Sequence, residues 1–319
     1  MKYSRILGTG SYLPKKILTN QDLEKMVDTS DEWITSRSGI KERHIVAENE
    51  TTCDMAYQAA LQAITNSGIN KTEIDLIIVA TATPDSVFPS TACLLQKRLG
   101  LANIPAFDLQ AACTGFLYVL TTADAYIKSN MVKTALIIGA DTVSRFIDYT
   151  DRNTCVLFGD GAGAVVLQAS NEPGILGNEL HADGSGEKAL HINGHIYNGE
   201  IKGSKYIYMD GKAVFKMAVK NLAAVANSLL AKTGYMAEQI DWLIPHQANS
   251  RIIESTAAHL GLPMEKVILT VAKHGNTSAA SVPLALDEAV ITGKIKRGDL
   301  LLLEGVGAGF TWGASLIRY

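Results

Sequence analysis

The chain has 319 residues, 47% of them hydrophobic, with 27 glycines and only 8 prolines, enough apolar surface for a large core and room for two halves. A formal net charge of -3 excludes a general attraction to nucleic acid or to an anionic membrane, so any basic site is local. The four cysteines (Cys53, Cys93, Cys113, Cys155) include no CxxC pair, which argues against a thiolate zinc site, and no apolar run of signal or membrane-spanning length occurs; the expectation is a cytoplasmic protein in a reducing compartment.

In chain order, residues 3–10 read as a short strand ending in Gly8-Thr-Gly10, a GxG too incomplete to mark a nucleotide site. Asn20 to Glu24 begins a short helix. Asp28 to His44 mixes Trp33 with Arg37, Lys41 and Arg43 in a turn-rich setting. It suits either a clamp for a planar base beside phosphates or a surface helix with Trp33 packed inward. Residues 54–67 form an alanine-rich helix, and Ile74 to Ala80 an apolar strand of the buried parallel kind. Ser90 or Thr91 caps a helix running to Gly100. Ala106 to Leu109 is the next strand.

Cys113 follows it, at the first turn of a helix through Phe116 to Lys128. Helix N-termini carry unpaired N–H groups and positive potential, which lower a thiol pKa. Locally, a nucleophile and a packed small hydrophobe both remain open. Lys133 to Ala140 is another buried strand. Val156 to Leu167 is a glycine-rich turn into a strand. Asn171 to Ser204 has little periodicity and reads as a long excursion between two compact parts, residues 1–170 and 171–319. Its His181, His191 and His195 read as surface histidines. Met209 to Phe215 opens an amphipathic helix to about Thr233.

The second part reruns the first. Ile74-Asp-Leu-Ile-Ile recurs as Ile240-Asp-Trp-Leu-Ile, and Leu136-Ile-Ile-Gly139 as Leu302-Leu-Glu-Gly305, both 166 residues on. Two copies of one α/β unit, with parallel strands and crossover helices, follow. The repeat puts Cys113 opposite Ala279, just past Asn276, and matches the strand end at Ala80 to His246. Cys113, His246 and Asn276 thus occupy strand-end loops that face one another across the pseudo-twofold axis. A Cys–His pair suggests acyl transfer through a thioester; a papain-like Cys-His-Asn protease is the rival, disfavoured by the doubled α/β architecture.

The stretches Asp31–Arg43 (DEWITSRSGIKER), Ala111–Phe116 (AACTGF), His246–Ile252 (HQANSRI), Gly275–Ala280 (GNTSAA) and Gly309–Gly313 (GFTWG) together resemble beta-ketoacyl-acyl-carrier-protein synthase III. The resemblance implies a thiolase-like fold, duplicated βαβαβαββ units in an α-β-α-β-α layering. It implies an acyltransferase that joins a short acyl-CoA primer, acetyl-CoA first, to malonyl-acyl-carrier protein by decarboxylative Claisen condensation, initiating type II fatty-acid synthesis. Cys113 would take the acyl group, with backbone N–H groups of Cys113 and Ala308 holding the oxyanion. His246 and Asn276 would stabilise the enolate.

The resemblance also implies further positions. Thr29, Trp33, Arg37 and Arg152 would bind the CoA nucleotide, and Gly211, Phe215 and Asn249 the pantetheine. Lys212 and Arg251 would dock the carrier protein. Phe88, Leu157 and Val306 would shape the acyl pocket, Phe88 reaching into the partner subunit of a homodimer. No metal, no permanently bound cofactor, no nucleic acid and no membrane partner are implied. Ala308 replaces a glycine common in the family, at a cost of about 1 kcal/mol should it need positive φ. Val306 stands where an aromatic is frequent, so acyl selectivity could depart from acetyl. A condensing enzyme of secondary metabolism and a silent carrier-protein-binding homologue remain the alternatives.

Overall fold

The structure, a computed structural model, describes residues 3–319. Met1 and Lys2, where the stretch read as lacking a signal segment begins, lie outside the described residues.

Two sheets carry the chain. The first holds β1 (Tyr3–Tyr12), β2 (Leu76–Ala80), β3 (Ala106–Leu109), β4 (Thr134–Asp141) and β5 (Gly161–Ser170), in the order β1-β5-β4-β2-β3. The second holds β6 (Ile175–Ala182), β7 (Trp242–Pro245), β8 (Leu300–Gly307) and β9 (Thr311–Arg318), in the order β7-β8-β9-β6. The helices are α1 (Asp31–Ser38), α2 (Thr52–Ser67), α3 (Thr91–Leu99), α4 (Gly115–Lys128), α5 (Gly211–Thr233), α6 (Ser250–His259) and α7 (Ser281–Ile291), with shorter turns between. β2 is parallel to both β3 and β4, as β7 is to β8. The remaining pairs in both sheets are antiparallel.

The repeat is physical. β2 and β7, β4 and β8, β5 and β9, and β1 and β6 hold equivalent places. The counterpart of β3 shrinks to a single bridge between Leu243 and Val267. α4 and α7 lie between the sheets, where Phe116, Leu120, Val282 and Leu286 share one core with Ile78 of the first sheet and Leu303 of the second. α2 and α3 cover the outer face of the first sheet through Met55, Ala59, Ala63 and Leu95. α5 and α6 cover the second through Val225, Leu229, Ile253 and Ala257. The result is the α-β-α-β-α layering. β2 and β4 are buried on both faces, as a central strand between two helix layers must be.

Gly8 and Gly10 serve this packing. A β-carbon at Gly10 would lie 2.3 Å from the Ala59 carbonyl oxygen, and one at Gly8 2.6 Å from that of Ala63. The GxG is therefore a seat for α2 against β1. The excursion read over residues 171–204 is corrected in part: Ile175–Ala182 is the edge strand β6, paired along β9. Its alternation is masked by polar side chains that have fixed partners. Asn178 Nδ2 donates to Asp124 at 3.0 Å, and Glu179 takes Lys232 Nζ at 2.9 Å. Beyond it lie a small ribbon, Leu190–His191 with Tyr208–Met209, and a hairpin, His195–Tyr197 with Glu200–Lys202. α5 is long and apolar enough by length and composition to cross a membrane, yet its apolar face is the one packed on the second sheet.

Glu304, on β8, is fully buried and neither carboxylate oxygen has a partner among the described residues. Burial pushes its carboxyl up to about 8. The unfolded chain ionises near the ordinary value of 4.5, so across pH 5 to 8 it sheds a proton that the folded chain keeps, and stability falls as pH rises. Glu304→Gln should therefore raise Tm more at pH 8 than at pH 5; thermal scans giving the same gain at both pH values would contradict this.

Candidate active site

Cys113 sits in a single 3₁₀ turn, Ala112–Thr114, between β3 and α4. Ala112 holds φ +46°, a left-handed conformation that swings the next residue out of the strand direction. The same turn recurs 166 residues on as Ser278–Ala280, with Ser278 at φ +52° and α7 following it. The two turns face each other. Cys113 Sγ–H donates to Ser278 Oγ at 3.5 Å. Burial pushes the Cys113 thiol up to about 11. The lowering expected from the helix start is thus corrected: in the resting site Cys113 is a thiol.

His246 follows β7, anchored by its N–H to Glu304 O at 2.8 Å. The ring is buried, which holds its pKa down to about 4, so the imidazole is neutral across the physiological range. Ser281 Oγ, on the first turn of α7, lies 2.9 Å from Nδ1 and accepts the Gln247 N–H at 2.7 Å. Asn276 is fixed at the backbone by Leu157 O and Gly159 N. Its Oδ1 accepts from Ser278 N at 3.0 Å, which directs the amide Nδ2 away from that bond. Cys113, His246 and Asn276 line one cavity of about 120 Å³, walled by Phe158, Phe215, Val306 and Phe310. A second cavity, of about 270 Å³, meets it at Cys113 and Phe158; Thr83, Gln110, Phe146, Ile207 and Ala308 line it.

Toward the surface, a third cavity shares Leu157, Met209, Gly211 and Asn249 with the first. Trp33 and Arg37 line it, one turn apart on α1, whose N-terminus is capped by Ser30 and whose C-terminus ends at Gly39 with φ +77°. Arg152 packs directly over Trp33, 5.2 Å from ring centroid to guanidinium carbon. A planar base needs two stacking contacts of about 3.5 Å each, so it would enter this slot by displacing the guanidinium. Thr29 lines none of these cavities. Phe215 lines the first, and Arg251 covers its ring at 5.7 Å. Lys212 and Arg251 are exposed at the starts of α5 and α6. Asn249 caps α6 through Oδ1 and donates to Arg37 O through Nδ2 at 3.0 Å, so its side chain ties α6 to α1.

Leu157 and Val306 face the first cavity, on the access side of Cys113, and not the one beyond the sulfur. Phe88 lines neither and is 83% exposed on the loop before α3. Ala308 is not among the residues with positive φ, which fall instead on Gly309 at +140°, so the methyl carries no left-handed cost. No cluster of three metal-ligating side chains occurs among the described residues. Ser278, Ser281 and Asp141 escaped the sequence reading, because nothing in their neighbours distinguishes them from ordinary helix-cap and strand-end residues.

Two family models match the chain: 3-oxoacyl-[acyl-carrier-protein] synthase III over residues 107–184, and its C-terminal counterpart over residues 230–319. The chain is 62% identical to the beta-ketoacyl-[acyl-carrier-protein] synthase III of Neisseria gonorrhoeae (strain NCCP11945), and 59% identical to that of Laribacter hongkongensis (strain HLHK9), with all of both chains covered in each case. Among solved structures, the 3-oxoacyl-[acyl-carrier-protein] synthase III of Aquifex aeolicus VF5 matches with a TM-score of 0.94 at 51% identity, covering 99% of this chain and 100% of that one. The priming beta-ketosynthase of the R1128 polyketide pathway also gives 0.94, at 34% identity, over 99% and 96% of the two chains. With fold, full-length similarity and a shared cavity for cysteine, histidine and asparagine in agreement, the chain belongs to the 3-oxoacyl-[acyl-carrier-protein] synthase III family of thiolase-fold condensing enzymes.

Proposed function

We propose that Cys113 carries the acyl group and that His246 and Asn276 stabilise the enolate of the extender, in an enzyme that condenses an acyl-CoA with malonyl-acyl-carrier protein to initiate fatty-acid synthesis. The observation that carries this assignment is the single buried cavity shared by the three side chains, with a second cavity beyond the sulfur to receive the acyl chain.

Acyl-CoA enters past Trp33 and Arg37, and its pantetheine runs by Gly211, Phe215 and Asn249. Cys113 attacks the thioester carbonyl, and the amides of Cys113 and Ala308 hold the oxyanion. CoA leaves and the acyl-enzyme remains. Malonyl-carrier protein docks against Lys212 and Arg251 and loses CO₂. His246 is suited to the enolate because it is neutral. Ser281 Oγ accepts the Gln247 N–H and lies 2.9 Å from Nδ1; with its hydroxyl proton directed to Nδ1, the imidazole proton rests on Nε2, free to donate into the cavity. Asn276 has its oxygen occupied and its amide free, which makes it a second donor. Two donors in an apolar-walled site stabilise developing charge without a base, and decarboxylation itself supplies the nucleophile.

Phe88 and Val87 are both exposed on the loop before α3, which supports a contact of Phe88 with another subunit. Its ring at the base of a partner's acyl cavity would favour a short primer, in a homodimer. Arg152 would rotate off Trp33 to admit the adenine.

Incubated with acyl-CoAs of two to eight carbons, the protein should gain the acyl mass faster with C2 than with C8, and Cys113→Ser should abolish the thioester adduct. A wild-type protein acylated by no primer would refute the assignment of Cys113, and faster C8 loading would refute the role given to Phe88. His246→Ala and Asn276→Ala should still acylate yet lose roughly 10²–10³-fold in condensation rate, the effect of removing one oxyanion donor. Stopped assays that separate the two half-reactions check this; equal loss in both halves would count against it.

A further inference from the structure

We propose that Arg43 is a positioning residue for Asn276: by gripping the 156–159 segment it fixes the side-chain amide that serves the enolate. The inference rests on the role proposed for Asn276. Arg43 lies on the strand Glu42–Ile45, which pairs with Lys16–Thr19 in a two-stranded ribbon apart from both large sheets. Its sequence neighbourhood suits a phosphate clamp, yet the side chain is fully buried. Nη1 donates to Leu18 O at 3.0 Å and to Asn20 Oδ1 at 2.9 Å, and Nη2 donates to Val156 O at 2.7 Å. The stem of Arg43 packs on both sides of the bridge that holds Asn276. A β-carbon at Gly159 would lie 3.0 Å from Arg43 Cβ, and one at Gly275 would lie 3.1 Å from it. Across that bridge, Asn276 N donates to Leu157 O at 2.8 Å, and Gly159 N donates to Asn276 O at 3.0 Å. Both backbone groups of Asn276 are thus tied to the segment that Arg43 grips at Val156.

A buried guanidinium is destabilising unless a carboxylate accompanies it. All three hydrogen bonds of Arg43 go to neutral oxygens, and its Nε has no partner among the described residues. Burial lowers its pKa to about 10, so it stays charged at neutral pH. An apolar side chain of similar volume would fill the space without that penalty, so packing alone does not account for the residue. What the guanidinium adds is a rigid planar fork, joining the ribbon's other strand at Leu18, the side chain of Asn20 and the carbonyl of Val156. The ribbon is tied to the same two segments elsewhere. Lys41 N donates to Ala272 O at 2.9 Å, and Asp160 N donates to His44 O at 2.8 Å. Arg43 therefore closes a frame around Asn276. His246 stands outside that frame, held by Glu304 O and beside Ser281, and Cys113 sits on the turn between β3 and α4. Loosening the grip of Arg43 displaces the Asn276 amide while the nucleophile and the imidazole keep their own supports.

Arg43→Lys keeps the charge and loses the fork. Gly159→Ala keeps Arg43 but forces the segment to shift, since the new β-carbon would meet His274 O at 2.5 Å. In a Cys113→Ala background, decarboxylation of malonyl-carrier protein reports the enolate step alone. Both variants should decarboxylate about 10- to 10²-fold more slowly, the effect of misplacing a catalytic group by about 1 Å. With Cys113 present, acylation by saturating acetyl-CoA, read by rapid-quench intact mass, should stay within about 2-fold of wild type. Added to Asn276→Ala, Arg43→Lys should slow decarboxylation by no more than about 2-fold further, because a residue acting through Asn276 then has nothing left to place. Losses that multiply in the double variant, equal losses in the two half-reactions, or wild-type decarboxylation by Arg43→Lys would each overturn the proposal. Should Arg43→Lys fail to fold, Gly159→Ala decides alone through the same double-variant comparison. Wild-type decarboxylation by Asn276→Ala would instead refute the role proposed for Asn276.

Discussion

The approach of β8 to the turn that carries Cys113 is the contact on which the site depends. A β-carbon at Gly307 would sit 2.7 Å from Cys113 N and 3.0 Å from Thr114 N, so strand end and turn meet main chain to main chain. Thr114 Oγ1 donates to Thr311 O at 3.0 Å, and Thr311 Oγ1 donates to Ala111 O at 2.9 Å, closing the junction from both sides. The junction sets where the Ala308 amide lies relative to the sulfur. It also joins the two sheets at the level where the cavities meet. A backbone held at φ +46° in Ala112 costs on the order of 1–3 kcal/mol, and this stitching is what keeps the turn from relaxing.

Burial is the second constraint, and it acts on every ionisable group of the site in the same direction, against charge. Cys113 rises to about 11 and His246 falls to about 4. A site of neutral groups in a low-dielectric cavity suits a reaction whose charge develops on substrate oxygens, because fixed donors act more strongly there than in water. It suits a metal-free acyl transfer less well at the first step, where a thiol must lose its proton. The carboxyl of Asp141 is pushed up by the same burial, although Thr81, Ala82, Thr83 and Ala279 all donate to it.

The fold was legible because its signal is long-range and redundant. Apolar strands such as Leu76–Ala80, glycine and serine caps, and segments repeated at a constant spacing all point to one doubled architecture. Cys113, His246 and Asn276 were legible for the same reason: the repeat gave each a strand-end address. β6 was hidden because its polar positions find partners on α4 and α5 that lie far away in sequence. The thiol pKa was misread because a helix start is a local feature, whereas desolvation sums over everything packed around the sulfur. The sides of the cavity faced by Leu157 and Val306 depend on strand and loop direction, which residue identity does not carry.

Duplication creates two equivalent turns, and an enzyme needs only one of them open. The residues that distinguish them sit at the ends of the central strands, Asp141 on β4 and Gly307 on β8, 166 residues apart. In the second half, the Ala279 amide, equivalent to that of Cys113, is occupied by the Asp141 carboxylate at 3.1 Å. In the first half the corresponding position is glycine, with no side chain to reach the Cys113 amide, which leaves that amide available for the oxyanion role proposed above. A carboxyl group is therefore built into one turn and absent from the other. In the filled turn, Ala279 is tied to Asp141 and Ser278 N to Asn276 Oδ1. Under the roles proposed above, substituting Asp141 should disturb the geometry of the Ser278 turn, whereas substituting Gly307 should close the space in front of the Cys113 amide.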